Sequence, residues 1–231
     1  MQRLTFFVVL VVIPFLAQAQ AEDYLYQGYI KSSQTLLKTA VDHIKKSPER
    51  NDLRLLEAYY LLLNNTMRDN DEETFDLYVD DAEKLAKQIL KKNPQQVEAS
   101  GILGAIYGLK IAYSPMKGMF LGGKSSSLSE AGIQSQADHP VGHLFFAMNK
   151  HNTPEMWGGD PVLALEHFRK SVQIFEEKNQ KAKNWYYLYA LAWLGIAENK
   201  AGNTPAARVA FEKALAVEPG YTWVRSMTTR K

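Results

Sequence analysis

From residue 24 onward the apolar positions recur three and four apart, and no stretch alternates apolar and polar residues between tight turns as a half-buried strand would. The pattern predicts a chain of helices. Its clearest element runs from Trp185 to Ala197 without one charged or amide side chain. A helix that is apolar all round must be covered all round. The run ends at Glu198-Asn199-Lys200-Ala201-Gly202, where Gly202 suits a left-handed helix end. Thr204 then fits an N-cap and Pro205 the first helical position, where its missing N–H costs nothing. The helix so started carries Ala207, Phe211 and Ala214 on one stripe and stops before Pro219, which completes an antiparallel helix pair.

Earlier segments repeat these spacings. Ala82, Ala86, Ile89 and Pro94 follow the same order, with Asn70 and Glu73 placed to form a capping box, and Ala164, Phe168 and Ser171 follow the helix start Asp160-Pro161. Pro48, Pro94 and Pro140 recur at equal intervals (94 − 48 = 46 and 140 − 94 = 46). The organisation expected is a leading helix from Tyr24 to Lys46 and four helix pairs beginning near Asn51, Gln96, Pro140 and Trp185.

Leu191, Leu194-Gly195, Ala207, Phe211, Ala214 and Pro219 resemble the tetratricopeptide consensus of about 34 residues. Leu103-Gly104 and Tyr107 resemble its first-helix part, and Glu198 departs from it where an aromatic residue is usual. The resemblance implies an all-α fold in which antiparallel helix pairs stack as a short right-handed superhelix, here over a single domain 22–231. It also implies a concave groove lined by the first helix of each pair, and no chemistry of its own. The turn from His139-Pro140 through Trp157-Gly158-Gly159 to Ala164 is similar to one in exported bacterial tetratricopeptide-like proteins, and loosely to the helical-repeat T component of TRAP-type periplasmic transport systems. That second likeness implies an accessory role beside a solute-binding protein.

The N-terminus changes the picture of compartment. Arg3 precedes an apolar stretch from Leu4 to Leu16, interrupted by Thr5 and Pro14, and Ala17-Gln18-Ala19 offers a small-x-small cleavage pattern. Residues 1–19 therefore read as a removable leader, with Ala21 as an alternative end, and the chain is expected to be periplasmic or secreted. Spanning a bilayer takes about 20 apolar residues; this run is shorter, and nothing after it is long and apolar enough. The 27 basic and 25 acidic side chains are interspersed, so no nucleic-acid footprint follows. Absence of cysteine removes disulfides and thiolate chemistry.

Two segments break the repeat. Residues 114–129 are rich in glycine and serine and carry Met116, Met119, Phe120 and Leu121, so they read as an inserted loop. Gly118 with Gly123-Lys124-Ser125 meets the phosphate-loop spacing, but Pro115 cuts off any strand leading in, and no nucleotide site is expected. Residues 152–160 form a second loop, in which Trp157 is expected to staple the turn and Asp160 to cap the next helix.

Candidate chemistry is sparse. Of the five histidines only His139 and His143 have the i, i+4 spacing of a helical metal site, and Pro140 disfavours helix at His139. No nucleophile elbow occurs, and Asp80-Asp81, Glu72-Glu73 and Glu176-Glu177 are neighbours that diverge around a helix. Catalytic residues, metal and cofactor are all expected to be none. The expected function is a non-enzymatic exported scaffold that binds a protein or peptide. The alternatives are a small-ligand or transport accessory protein and, last, a metal- or nucleotide-dependent hydrolase. Counting round the first helices turns Leu55, Tyr59, Phe146, Asn149, Tyr189 and Asn199 toward the groove, and the two loops add Phe120 and Trp157 as partner contacts.

Overall fold

The computed structural model describes residues 18–229, and among these there are helices and turns and no strand. The apolar core of the expected leader, up to residue 17, lies outside the described residues. The rest divides into two units, up to Ala82 and from Glu83, which are taken in turn.

The first unit holds α1 (helical over the described residues 18–30), α2 (Gln34–Lys46), α3 (Asp52–Asp69) and the first half of α4 (Glu72–Lys92). The single leading helix expected from Tyr24 to Lys46 is instead two. The chain reverses at Ser32, whose φ is 49°, and Ser33 caps α2 by accepting from the Leu36 N–H at 3.4 Å. Gly28 lets the two helices close up, since a Cβ there would stand 2.9 Å from Leu37 Cγ. Asn51 caps α3 as expected, accepting from Arg54 N–H at 3.1 Å. The capping box does not form. Asn70 takes the left-handed conformation (φ 52°) that ends α3, and Asp71 caps α4 by accepting from Thr74 N–H at 3.0 Å. Arg54 ties α1 to α3 through ion pairs with Glu22 and with buried Glu57. Burial works against its charge, but the two carboxylates more than offset this and raise its pKa further.

The second unit contains the rest of α4, then α5 (Val97–Tyr113), α6 (Gly118–Ser135), α7 (Pro140–Asn152), α8 (Pro161–Glu177), α9 (Trp185–Lys200), α10 (Thr204–Val217) and α11 (Thr222–Thr228). Three expected pair starts, near Gln96, Pro140 and Trp185, are met here. Residues 114–129, read as a loop, are instead a 3-10 turn (Pro115–Lys117) followed by helix α6. Glycine and serine are poor helix formers in isolation, but here α5 supplies what they lack. Ser125 Oγ donates to the Gly104 carbonyl and Ser100 Oγ to the Leu128 carbonyl, both at 2.8 Å. These bonds require close backbones, and a Cβ on Gly104 would stand 3.1 Å from the Ser125 carbonyl oxygen.

The α7–α8 connection is a loop as expected, with a 3-10 turn at Glu155–Trp157, and Asp160 caps α8 by accepting from Val162 and Leu163 N–H at 3.0 and 2.9 Å. Trp157 does not staple this turn. It is 70% exposed, and the turn closes instead through Gly158 at φ 92° and through Gly159, where a Cβ would fall 1.8 Å from the Thr153 oxygen. The last pair packs as its spacing predicts. Gly202 is left-handed at φ 80°, Ala207, Phe211 and Ala214 are buried, and Gly195 lies against the Phe211 ring. The N-cap of α10 is Asn203, one residue before the expected Thr204. Glu198, the departure from consensus, is 3% exposed; it accepts from Arg169 Nε at 2.8 Å and Asn203 Nδ2 at 3.0 Å, so an ion pair stands where a ring would pack.

Candidate functional site

The structure buries most of the side chains that helix periodicity turns toward a groove. Leu55 and Tyr59 lie in the core of the first unit, with the Tyr59 hydroxyl 3.4 Å from Asp81. Phe146 is buried against His167, ring centroids 4.5 Å apart. Asn149 binds α6 at both ends of its amide, donating to Ser125 Oγ at 3.1 Å and accepting from Ser126 Oγ at 3.2 Å. Tyr189 is 0% exposed, because Trp223 of α11 lies over it at 5.8 Å. Each of these five is engaged in packing or hydrogen bonding within the fold. Asn199, Phe120 and Trp157 remain open to solvent.

What the structure offers instead is Trp193, one helical turn beyond Tyr189. Its half-buried ring stacks on Phe168 of α8 (6.2 Å, 6° between planes). It meets His151 of α7 edge to face at 5.6 Å and Trp223 of α11 at 6.0 Å. Each such ring pair adds about 0.5–1.5 kcal/mol beyond simple burial, so these three helices hold the indole in one orientation. Trp193 Nε1 and His151 Nδ1 are nevertheless buried without a hydrogen-bond partner among the described residues, a state native proteins leave to few groups. Leaving such a donor unmet costs about 1–3 kcal/mol. Half-buried Leu194 and Ile196 continue the apolar surface, and exposed Asn199 and Lys200 give it a polar rim. Burial depresses the pKa of His151, with the charge of Lys200 acting in the same direction, so its ring is held neutral at pH 7 and can accept a proton donor. The two unpartnered nitrogens lie beneath the surface, and what the site presents to solvent is the open part of a fixed indole with an apolar surround and a polar rim, which suits contact with an apolar side chain.

Sequence reasoning missed this surface. Trp193 sits in a run apolar on all sides, where periodicity gives no facing, and nothing in the sequence marks the short helix α11 that covers Tyr189.

The histidines also pair differently from expectation. His139 occupies the N-cap position of α7 with Nε2 3.4 Å from Glu98 Oε1. Burial pushes the Glu98 pKa upward, but hydrogen bonds from His139, its own backbone N–H and Gln96 outweigh this and leave it lowered. These groups border an open cleft of about 420 Å³ near the starts of α5, α7 and α9. His143 turns away from His139 to His167 of α8, Nδ1 to Nδ1 2.9 Å, while its Nε2 lies 2.8 Å from the Ala137 carbonyl. The protonation that satisfies both contacts has His143 donating from Nε2 to the Ala137 carbonyl and accepting at Nδ1 from His167. Burial lowers the pKa of both rings, and that of His167 is lowered further by His143. No cluster of three metal-ligating side chains occurs among the described residues. The Gly118 to Ser125 spacing falls within helix α6, with Ser125 buried and bonded to α5, so its backbone N–H groups form no phosphate cradle.

No protein-family model matches the sequence, and no curated protein matches it. Solved structures do. A thermophilic TPR protein from Thermus thermophilus superposes with a TM-score of 0.58 at 13% identity, over 90% of this chain and 96% of that one. YrrB, described as a TPR protein with an unusual peptide-binding site, gives 0.43 at 14% identity over 90% and 91% of the two chains. MamA of Desulfovibrio magneticus RS-1, from its residue 41 onward, gives 0.40 at 16% over 89% and 95%. With the first superposition and the helix pairs described above, the chain has the fold of a tetratricopeptide-like helical-repeat protein.

Proposed function

We propose that this chain is a non-enzymatic scaffold that binds a protein or peptide partner, with Trp193 as the anchor of the contact. The observation that carries the proposal is a half-buried indole held in one orientation by rings from three helices, with exposed Asn199 and Lys200 at its edge. Buried aromatic anchors with a polar rim dominate binding energy at protein interfaces. Peptides selected from a random library on the wild-type chain are expected to bind Trp193→Leu at least tenfold more weakly by fluorescence anisotropy, about the loss of one hot spot. Equal affinity for both chains, or loss of affinity only with loss of helicity, would remove Trp193 from the site. A small-ligand role is less favoured, because residues 114–129 are not a loop over a pocket and Phe120 and Trp157 stand in solvent.

Export belongs to the same proposal and rests on Arg3, the apolar stretch and the small residues after it. Of the two cleavage positions, the one after Ala19 is favoured, since it keeps Ala21, which is buried in α1. The expected result is a periplasmic or secreted protein whose mass corresponds to a start at Gln20. Full-length chain confined to the cytoplasm would contradict export.

A further inference from the structure

Helix α6 carries large apolar side chains on the outward face of its first turn. Its inward positions are small and polar: Ser125, Ser129 and Gly132 are buried against neighbouring helices. Met116, Met119 and Phe120, at the start of α6 and in the turn before it, are 80%, 77% and 72% exposed. With Gly123, Lys124 and Ser127 they fall at intervals of three and four, which places them on one outward stripe. A Cβ on Gly122 or Gly123 would meet nothing within 4 Å, so this end of the helix stands clear of the protein. Native chains seldom leave three large apolar side chains so uncovered on one stripe.

The charges beside the stripe say what covers it. Between Glu98 and Glu130 the sequence has no carboxylate and three lysines, Lys110, Lys117 and Lys124. Lys110 pairs with Glu83. Lys117 and Lys124 form no ion pair among the described residues, and both are exposed, Lys117 beside the apolar side chains and Lys124 one turn after Phe120 on the stripe. A second copy of the chain docking here symmetrically would bring like charges together. A protruding ridge of flexible Met and Phe side chains also offers no hollow for a complementary protein knob. It does match the interface of an anionic bilayer, which needs no shape complement. There apolar side chains enter the acyl boundary while lysine stems lie along it and place their ammonium groups among the phosphates.

We propose that the tip formed by Pro115–Lys117 and the first turns of α6 docks the protein on an anionic lipid surface, with Met116, Met119 and Phe120 inserted and Lys117 and Lys124 on the headgroups. The proposal is independent of the Trp193 surface. The test uses the protein as isolated from an expressing bacterium, its N-terminus assigned by mass. Vesicles of phosphatidylcholine alone and of phosphatidylcholine with phosphatidylglycerol are compared by flotation. Because the chain has no cysteine, Met116→Cys carries an environment-sensitive dye as a local reporter. Flotation with the anionic vesicles and a blue shift of the dye are expected. Phe120→Ser is expected to weaken partition roughly tenfold or more, and Lys117→Gln with Lys124→Gln roughly thirtyfold. A retained leader would float the chain without moving the dye. The proposal is overturned by a dye that stays unshifted on anionic vesicles, or by variants that partition like the wild type. It is overturned equally if the shift appears without lipid as the mass doubles, which would mean a second copy. The same holds if polyglutamate reproduces the shift, which would mean an acidic polypeptide.

Discussion

Two helix pairs of the second unit, α9/α10 and α5/α6, solve the same packing problem with opposite chemistry. In α9/α10 one helix gives up a side chain at Gly195 so that a large ring, Phe211, can fill the gap, and small Ala207 and Ala214 complete the contact. In α5/α6 both helices give up bulk. Gly104 faces the backbone of Ser125, and serine hydroxyls bond across to main-chain carbonyls. The first pair holds by apolar burial, about 1.5–3 kcal/mol for a ring such as Phe211. The second adds hydrogen bonds worth about 0.5–1.5 kcal/mol each, and the large apolar residues at the start of α6 and in the turn before it are left outside. The exposed apolar side chains at the start of α6 are therefore a property of its outward face and do nothing for its contact with α5.

The sharpest test adds carbon at matched glycines. A Cβ at Gly195 would lie 2.3 Å from Phe211 Cε1, inside a ring that is 4% exposed. Gly195→Val is expected to cost about 3 kcal/mol and to lower the midpoint of thermal unfolding by about 6–12 °C. A shift under about 2 °C would mean that the ring moves freely, and the contrast between the pairs would fail.

Acid should act between the two compared pairs. Neither α5/α6 nor α9/α10 contains a histidine, whereas α7/α8 holds His143 and His167 in contact, and His151 lies in the aromatic surface. Burial lowers all three pKa values in the folded chain, while the unfolded chain titrates near 6.5. Stability from these groups is thus complete above about pH 6.5. It is lost as pH falls below that value through the folded pKa values, because there the unfolded state binds protons that the folded state refuses. Thermal unfolding at pH 7.5 and pH 5 is expected to show the loss. His143→Gln, which keeps a donor for the Ala137 carbonyl, is expected to flatten it. The lowered carboxylates Glu83, Glu98 and Glu176 act at lower pH and do not mask the window.

A smaller effect is expected at the departure from consensus. Glu198 is buried, but Arg169 is 54% exposed and can return to water, so Glu198→Gln should cost about 1–2 kcal/mol in chemical denaturation, less than a fully buried pair. A cost near zero would make Glu198 interchangeable with any side chain of its size.

How legible each part was follows from these chemistries. The starts at Asn51, Gln96, Pro140 and Trp185 could be read because caps, prolines and periodicity are local. The reversal at Ser32 could not, since neither glycine nor proline marks it and the turn depends on Leu37 packing against Gly28. Helix α6 was hidden because its helicity is conferred by α5, and serine and glycine in isolation favour turns. The candidate surface was hidden for a similar reason. Tyr189 and Trp193 are on adjacent turns of one apolar helix, and Trp223 packs against both, with Tyr189 buried and Trp193 left partly open.

The smallest expected effect also has the opposite sign. Gly123 is interior to α6, and a Cβ there would meet nothing within 4 Å. Gly123→Ala removes the conformational freedom that glycine loses on folding and is expected to stabilise the chain by about 0.5–1 kcal/mol, raising the midpoint by about 1–4 °C. A side chain added at Gly195 disrupts α9/α10 whereas a Cβ added at Gly123 should improve α6, because the first meets a ring and the second meets solvent. If Gly123→Ala destabilised instead, this end of α6 would have to press against something in solution. The stripe of Met116, Met119 and Phe120 would then be a buried contact, and a lipid surface would no longer be needed to explain it.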